Sequence, residues 1–306
     1  MSKIIVGVDE SDRSKDAVAL AALLARGTGA ELHLVCAYPY DDVPGRGANA
    51  AYRQYLREDA ETAIERAMEG IDDLPQVRSR PIPEVSPAKG IQDMATKEGA
   101  SLIVIGSSGR GGAGRVFAGT TAERLLHGAP CPVAVAPRGF HGRDAGDVGT
   151  IAVGYDGSVE AKAALVGART IARVRGARLR LVEVLDSAWL GTPALMSGPG
   201  FIMTPDDAEG RARGYLTEAA ESLAPDVPTE PVVAVGAPEQ ILADESQKAD
   251  LVVVGSRGYG PLRAVLLGSV SGRLVREAAC PVLVVPRGIE APLEELFAAA
   301  SGTQAV

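Results

Sequence analysis

The chain is short of the residues that several kinds of protein depend on. It has three cysteines in 306 residues, Cys36, Cys131 and Cys280. They are too few and too scattered for a disulfide framework or a zinc site. Cys131 and Cys280 each precede a proline and an apolar run, which reads as a small hydrophobe at a strand start. The three histidines, His33, His127 and His141, are scattered and give neither a metal spacing nor a catalytic dyad. Positive charge is also scarce: the net charge is −8 and the pI about 5.1. Non-specific binding to nucleic acid or to an anionic membrane needs a basic face, so neither partner is expected. A small anionic ligand is not excluded, because backbone N–H groups and helix N-termini hold phosphate without net positive charge. No apolar run approaches the ~20 residues of a membrane span. The N-terminus enters a strand at once, Met1-Ser2-Lys3-Ile4-Ile5-Val6, without a signal-peptide pattern. The expectation is a cytoplasmic, soluble, reduced protein. A Gly-x4-Gly-Lys-(Ser/Thr) loop is missing as well, and with it the usual phosphate lysine of ATP-consuming enzymes.

What the chain does have is a repeat. Ile151-Ala152-Val153-Gly154-Tyr155-Asp156 follows Ile4-Ile5-Val6-Gly7-Val8-Asp9 at a distance of 147 residues. Leu179–Val184 follows Leu32–Ala37 at the same distance. Gly106-Ser107-Ser108-Gly109, nine residues and then Gly119-Thr120, recurs as Gly255-Ser256-Arg257-Gly258, nine residues and then Gly268-Ser269. A period near 148 residues means two domains, not a solenoid. The expected division is a first domain over 1–138, a polar, glycine-rich linker over 139–148, a second domain over 149–288 and a tail over 289–306. The tail carries one short helical pattern, Leu293-Leu296-Phe297.

Each unit alternates strand and helix. In the first, β-branched residues 3–8 read as a strand buried on both faces. A helix is expected over 14–27, a strand over 32–37, and a helix over about 50–70 with Tyr52, Leu56, Ala60, Ala63, Ile64, Ala67 and Met68 in phase. A proline-bearing edge strand over 77–85, a helix over 88–98, a strand over 102–105, a helix near 119–128 and a strand over 132–136 complete it. Such a series builds a parallel sheet with right-handed crossovers and helices on both faces. Ligands of such sheets sit at the carboxyl ends of the strands, where the strand order reverses. In each half this rule gathers the first-strand aspartate (Asp9, Asp156), the end of the second strand (Ala37, Val184) and the glycine stretch.

The glycine stretch has the chemistry of a phosphate cradle. Gly106 and Gly255 stand where a strand ends and its backbone must pass close to a ligand. Gly109 and Gly258 let the loop turn its N–H groups inward. Gly119-Thr120 and Gly268-Ser269 open the next helix, where free N–H groups and the helix dipole favour an anion. The bland alternative, turn glycines and N-caps only, loses weight because the spacing occurs twice. Arg110, Arg115, Arg257 and Arg263 lie inside the loops and read equally as phosphate partners or as solvated loop residues. Asp9 and Asp156 read as ligand contacts or as helix N-caps, with Ser11 and Ser158 as alternative caps that free the aspartates. The second copy continues Gly268-Ser269-Val270-Ser271 and the first Gly119-Thr120-Thr121-Ala122, so the second cradle has one more hydroxyl, worth on the order of 1–2 kcal/mol. Ser101 also stands where the second half has Asp250. On the hydroxyl count the second site is expected to bind more tightly.

These features together resemble the universal stress proteins of the ATP-binding type, in a tandem arrangement covering nearly all of residues 1–288. The family pattern Gly-x2-Gly-x9-Gly-(Ser/Thr), the first-strand aspartate and the Cys-Pro-Val before the last strand are each present twice. The resemblance implies an α/β fold of two Rossmann-like (adenine nucleotide alpha hydrolase-like) domains. Each would be an open five-stranded parallel sheet of order 3-2-1-4-5. It implies one ATP per domain, with or without Mg2+. Contacts in the first would come from Val8, Asp9, Ser11, Ala37, Ile105, Gly106, Gly109, Arg110, Gly119, Thr120 and Thr121. Those in the second would come from Tyr155, Asp156, Ser158, Val184, Val254, Gly255, Gly258, Gly268, Ser269, Val270 and Ser271. The aspartates would meet the ribose, and the backbone at Ala37 and Val184 the adenine edge. A homodimer, or an intramolecular pseudo-dimer of the two halves, is also implied. The superfamily's His-x-Gly-His and Ser-Gly-Gly-x-Asp-Ser signatures are absent, so the reading is a nucleotide-dependent stress or signalling regulator acting on an unnamed protein partner, with at most slow ATP hydrolysis. A nucleotide-free interaction scaffold is the other alternative. Residues 186–210, with the single Trp189, read as a lid, a dimer contact or a plain surface loop.

Overall fold

In a computed structural model of the protein, residues 2–40, 50–71, 76–107, 120–143, 146–186, 204–223, 225–256, 269–286 and 292–301 are described. The first half runs β1 (Lys3–Val8), α1 (Arg13–Ala25), β2 (Glu31–Tyr38), α2 (Ala50–Met68), β3 (Val77–Pro83), α3 (Pro87–Glu98), β4 (Leu102–Gly106), α4 (Thr120–Leu126) and β5 (Val133–Ala136). The second runs β6 (Thr150–Gly154), α5 (Val159–Arg175), β7 (Arg178–Asp186), α6 (Pro205–Leu223), β8 (Thr229–Gly236), α7 (Pro238–Glu245), β9 (Leu251–Gly255), α8 (Ser269–Glu277) and β10 (Val282–Val285), followed by α9 (Pro292–Ser301).

The apolar runs become central strands because helices cover both of their faces. Ile4, Ile5 and Val6 are fully buried, as are Ile103, Val104, Ile151, Val153, Val252 and Val253. Along β4, Leu102 and Val104 face the core under α1 and α2, and Ile103 and Ile105 face the core under α3 and α4. The strand order is β3-β2-β1-β4-β5-β10-β9-β6-β7-β8, one ten-stranded sheet. Within each half the order is therefore 3-2-1-4-5 and all pairs are parallel. The chain order reverses between β1 and β4, and again between β6 and β9. The outer strands are short of ladder donors: Pro81 and Pro83 interrupt β3 and Pro231 interrupts β8, which blunts both edges.

The halves meet where β5 and β10 pair antiparallel, Leu283 opposite Ala134. Arg276 of α8 reaches Glu123 of α4 at 2.9 Å, and Arg143 Nη1 donates to the Ala279 carbonyl at 3.1 Å. Arg175, almost wholly buried at the end of α5, donates to the last carbonyls of α1, at 3.2 Å for Leu24 O. That supplies a cation to the C-terminus of a helix in the other half.

The segment after β5 is polar but not loose: Phe140 and Val148 are buried, and Asp16 of α1 accepts from the backbone N–H groups of Gly139 and His141 at 2.9 and 3.0 Å. The tail is not free either, because α9 docks on α5 with Leu293, Leu296 and Phe297 buried. Against the expected phase, Tyr52 is 55% exposed, so the apolar face of α2 begins at Leu56, which packs partly buried on the core, and is fully buried from Ala60 on. Each histidine has a local partner: His33 Nε2 lies 3.1 Å from Glu31, His127 contacts the Glu123 carbonyl, and His141 Nδ1 lies 2.7 Å from Asp16. The three cysteine thiols are buried and burial pushes each up to about 12, so they stay neutral. Among the described residues no helix is long and apolar enough to cross a membrane, and no His/Cys/Asp/Glu group could hold a metal ion.

Candidate functional site

At the carboxyl ends of β6, β7 and β9 the second half opens a cleft of about 660 Å3, counted out to its mouth. Tyr155, Asp156 and Ser158 form one wall as the chain leaves β6 for α5. Val182 and Val184 of β7 form the floor, and Pro238 and Leu242 of α7 the far side. Val254 and Gly255 close it from β9, and Val270 and Ser271 from the first turn of α8. Eight of the residues expected in the second site thus share one space, on the reversal point of the sheet. Glu160 and Ala161 of α5 join them without having been expected.

The aspartates do not cap helices. Asp156 Oδ1 accepts from Ser158 N at 3.1 Å and from Ser158 Oγ, while Ser158 itself is the N-cap of α5 and accepts from Ala161 N at 3.2 Å. Asp9 Oδ1 accepts from Ser11 N at 2.9 Å, from Ser11 Oγ and from Ser14 Oγ at 3.1 Å. In the first half Asp12, not Ser11, is the N-cap position. Ser11 instead accepts from Arg13 Nε at 2.9 Å, and Arg13 Nη2 lies 3.5 Å from Asp9 Oδ2. Val8 and Ile105 are buried at the ends of β1 and β4, and Ala37 is half-buried near the end of β2. Thr121 is half-buried in the first turn of α4, with Ala122 buried beside it.

The glycines that end β4 and β9 answer to a helix. A Cβ on Gly255 would lie 2.6 Å from the Glu160 carbonyl, and one on Gly106 would strike the Arg13 carbonyl. So the missing side chain lets the first turn of α5, or of α1, sit against the strand end, where close approach of a ligand was expected. Asp250 works elsewhere. Its Oδ2 accepts from Gly149 N and Thr150 N at 3.0 and 2.8 Å, at the amino end of the sheet, away from the cleft. Gly109, Arg110, Gly119, Gly258 and Gly268 lie outside the described residues, as do Arg115, Arg257, Arg263 and 187–203 with Trp189. Thr120 and Ser269 begin α4 and α8.

Two groups near the clefts escaped the sequence reading. Ser107 Oγ, one residue past Gly106, is buried without a hydrogen-bond partner among the described residues. Glu183 of β7 has a buried Oε2 with no hydrogen-bond partner among the described residues. Burial first, and then the Asp156 charge, push the Glu183 carboxyl up to about 7. The Tyr155 phenol is raised by its burial and by both carboxylates.

The profile of the universal stress protein family matches residues 1–137 and again residues 148–286. The chain belongs to the universal stress protein family. A universal stress protein of Mycolicibacterium smegmatis is 32% identical over 295 residues, 92% of this chain and 96% of that one. A universal stress protein of Mycobacterium tuberculosis is 36% identical over 190 residues, 60% of this chain and 61% of its own. The crystal structure of a universal stress protein from Archaeoglobus fulgidus superposes with a TM-score of 0.64 at 20% identity, covering 94% of this chain and 96% of that chain. At that identity the likeness concerns the fold, two universal stress protein domains in tandem.

Proposed function

We propose that this tandem universal stress protein binds adenine nucleotides, one in each half, with ATP as the ligand the cradle pattern calls for. Occupancy sets which partner the protein engages; the nucleotide is a signal and not a substrate consumed in turnover. The observation that carries the reading is the cleft of the second half. Residues chosen from three separate stretches, Asp156, Val184, and Gly255 with Ser271, line one space at the strand ends. In this reading the aspartate, not used in capping, accepts from ribose hydroxyls. The apolar floor of Val182 and Val184, with Leu242 across from it, suits a purine ring. In this reading the N–H groups of the opening turn of α8 hold a phosphate, and those of α4 do so in the first half. Mg2+ would travel with the nucleotide, held by its phosphates. The proposed location is the cytoplasm.

The test is to release the small molecules bound to the purified chain by heat and identify them. ATP or ADP approaching two per chain is expected. No nucleotide, together with no gain in heat stability when ATP is added, would sink the reading and leave an interaction scaffold.

A further inference from the structure

β7 carries a carboxyl that the cleft does not use. Val182 and Val184 line the cleft of the second half, so Glu183 between them projects from the other sheet face, toward α6. Its partner across the β7–β8 register is Val233, which packs on the core of that face, as does Tyr215 of α6. On the other flank the Tyr155 N–H donates to the Val182 carbonyl at 2.8 Å, which sets Tyr155 beside Glu183 and Asp156 just beyond. The rings of Tyr155 and Tyr215 stand 6.3 Å apart. Glu183 is thus half-buried among apolar and aromatic groups, and its Oε2 is buried with no hydrogen-bond partner among the described residues. A carboxylate oxygen so placed lacks the donors that stabilise its charge. In the first half the same register position holds Cys36, paired with Val8, and its thiol stays neutral.

We propose that Glu183 sets the charge preference of the second cleft: from behind the sheet it opposes an anionic ligand, and binding of that ligand is coupled to the uptake of a proton on its carboxyl. This rests on the nucleotide reading above and deepens it. Asp156 links the two faces, since it lines the cleft and its charge bears on Glu183. Burial first, and that charge second, push the Glu183 carboxyl up to about 7. A phosphate-bearing ligand beside Asp156 brings further negative charge to the same end of the sheet. It favours the protonated carboxyl, and by reciprocity protonation favours the ligand. The other charges of the neighbouring elements are engaged or face water. Arg180 pairs with Glu230 and Glu245 at 2.6 and 2.9 Å, toward the amino end of β7, and Asp186 stands three residues past Glu183. On α6, Asp206, Asp207, Arg211, Arg213 and Glu218 are exposed, and Glu209 pairs with Arg213. On α5 the buried residues toward the sheet are apolar, Ala161, Ala164 and Leu165. Occupancy of the second half thus follows pH near neutrality as well as nucleotide supply.

The experiment titrates the full chain with ATP and with adenosine, in chelator, at about pH 8 and about pH 6, beside Glu183→Gln. The ligand's own titration is common to both chains and drops out of the comparison. So does that of Glu10 in the first half, raised by its hydrogen bond to Asp59. At about pH 8 one class of ATP sites is expected to be about fivefold tighter in Glu183→Gln than in the unmodified chain. At about pH 6 the two chains should agree within about twofold. Adenosine carries no phosphate and should bind both chains alike at either pH, within about twofold. Glu183→Cys copies the residue of the first half and should match Glu183→Gln. Calorimetry near pH 7, in two buffers of unlike ionisation enthalpy, should read roughly a third of a proton more taken up with ATP in the unmodified chain than in either variant. Equal ATP affinities in all three chains at about pH 8 overturn the coupling and leave nucleotide binding standing. A change in adenosine binding as large as that in ATP binding overturns it too, since a structural role would move both. No binding of either ligand overturns the nucleotide reading together with this one.

Discussion

The first and second halves show how far one backbone can be kept while its site is rewritten. Their sheets have one order, their cradle glycines pack on the same helical turn, and their aspartates make the same turn with the serine two residues on. They differ in the helix position packed on the cradle glycine, Arg13 against Glu160, and in the strand position near the aspartate, Cys36 against Glu183. They also differ in what closes them. The first half is covered by the short turn around Phe140, pinned by Asp16. The second is covered by a whole helix, α9. Magnitudes settle which site difference matters more for a polyanion. One added hydroxyl, Ser271 against Ala122, is worth about 1 kcal/mol. A charge reversal at a partly exposed position is worth roughly 1–2 kcal/mol for each ligand charge after screening, and a triphosphate has several.

The largest expected effect concerns closure. Phe297→Ala removes a side chain that is 1% exposed and should cost about 3–5 kcal/mol in urea unfolding. Phe140→Ala should cost about 2–3 kcal/mol, because hydrogen bonds to Asp16 still hold its turn. A greater loss from Phe140 would break this contrast. Next come the cradle glycines. Gly106→Ala and Gly255→Ala should each cost about 2–3 kcal/mol, since the new methyl meets helix backbone that cannot swing aside. Here the halves should agree, and a marked inequality would undo the claim of a common framework.

The site charges follow. Arg13→Glu should weaken ATP at the first site about tenfold, about 1.4 kcal/mol, because it sets a second carboxylate beside Asp9. Glu183→Gln probes the same asymmetry through stability. The folded-state carboxyl titrates at about 7, above its ordinary 4.5, so the folded chain holds that proton more tightly. Its contribution is complete below about pH 4.5 and is lost as the pH rises through 7. Removing the charge should thus raise stability at about pH 8 by roughly 1–2 kcal/mol, after discounting for the half-exposed setting, and change little at about pH 5. Thermal melts at the two pH values check it, and an equal effect at both would contradict it. The smallest effect is Ser271→Ala, below about 1 kcal/mol in ATP affinity.

Much of this framework was legible in the chain. The β-branched runs gave the buried strands because strands buried on both faces have no need to alternate, and the 147-residue offset aligned the two copies. The offset also set Arg13 opposite Glu160. Their setting was hidden, because only the packing of α1 and α5 on the cradle glycines brings Arg13 beside Asp9 and Glu160 to the cleft of the second half. Glu183 was hidden for a related reason: a single carboxylate in an apolar strand does not say which neighbours it faces. Asp250 looked like part of a site motif, yet it ties the start of β6 at the other end of the sheet. The pattern Leu293-Leu296-Phe297 announced a helix but not its docking, since the surface of α5 that receives it, including Gly167 against Leu293, lies far away in sequence.

The most direct test is an equilibrium titration of the unmodified full-length chain with ATP, at about pH 8 and without divalent cation. The account predicts two sites per chain of unequal affinity, the weaker one strengthening as the pH falls toward about 6. Two equal sites that ignore pH would contradict the asymmetry of the halves, and no saturable binding would contradict the nucleotide function itself.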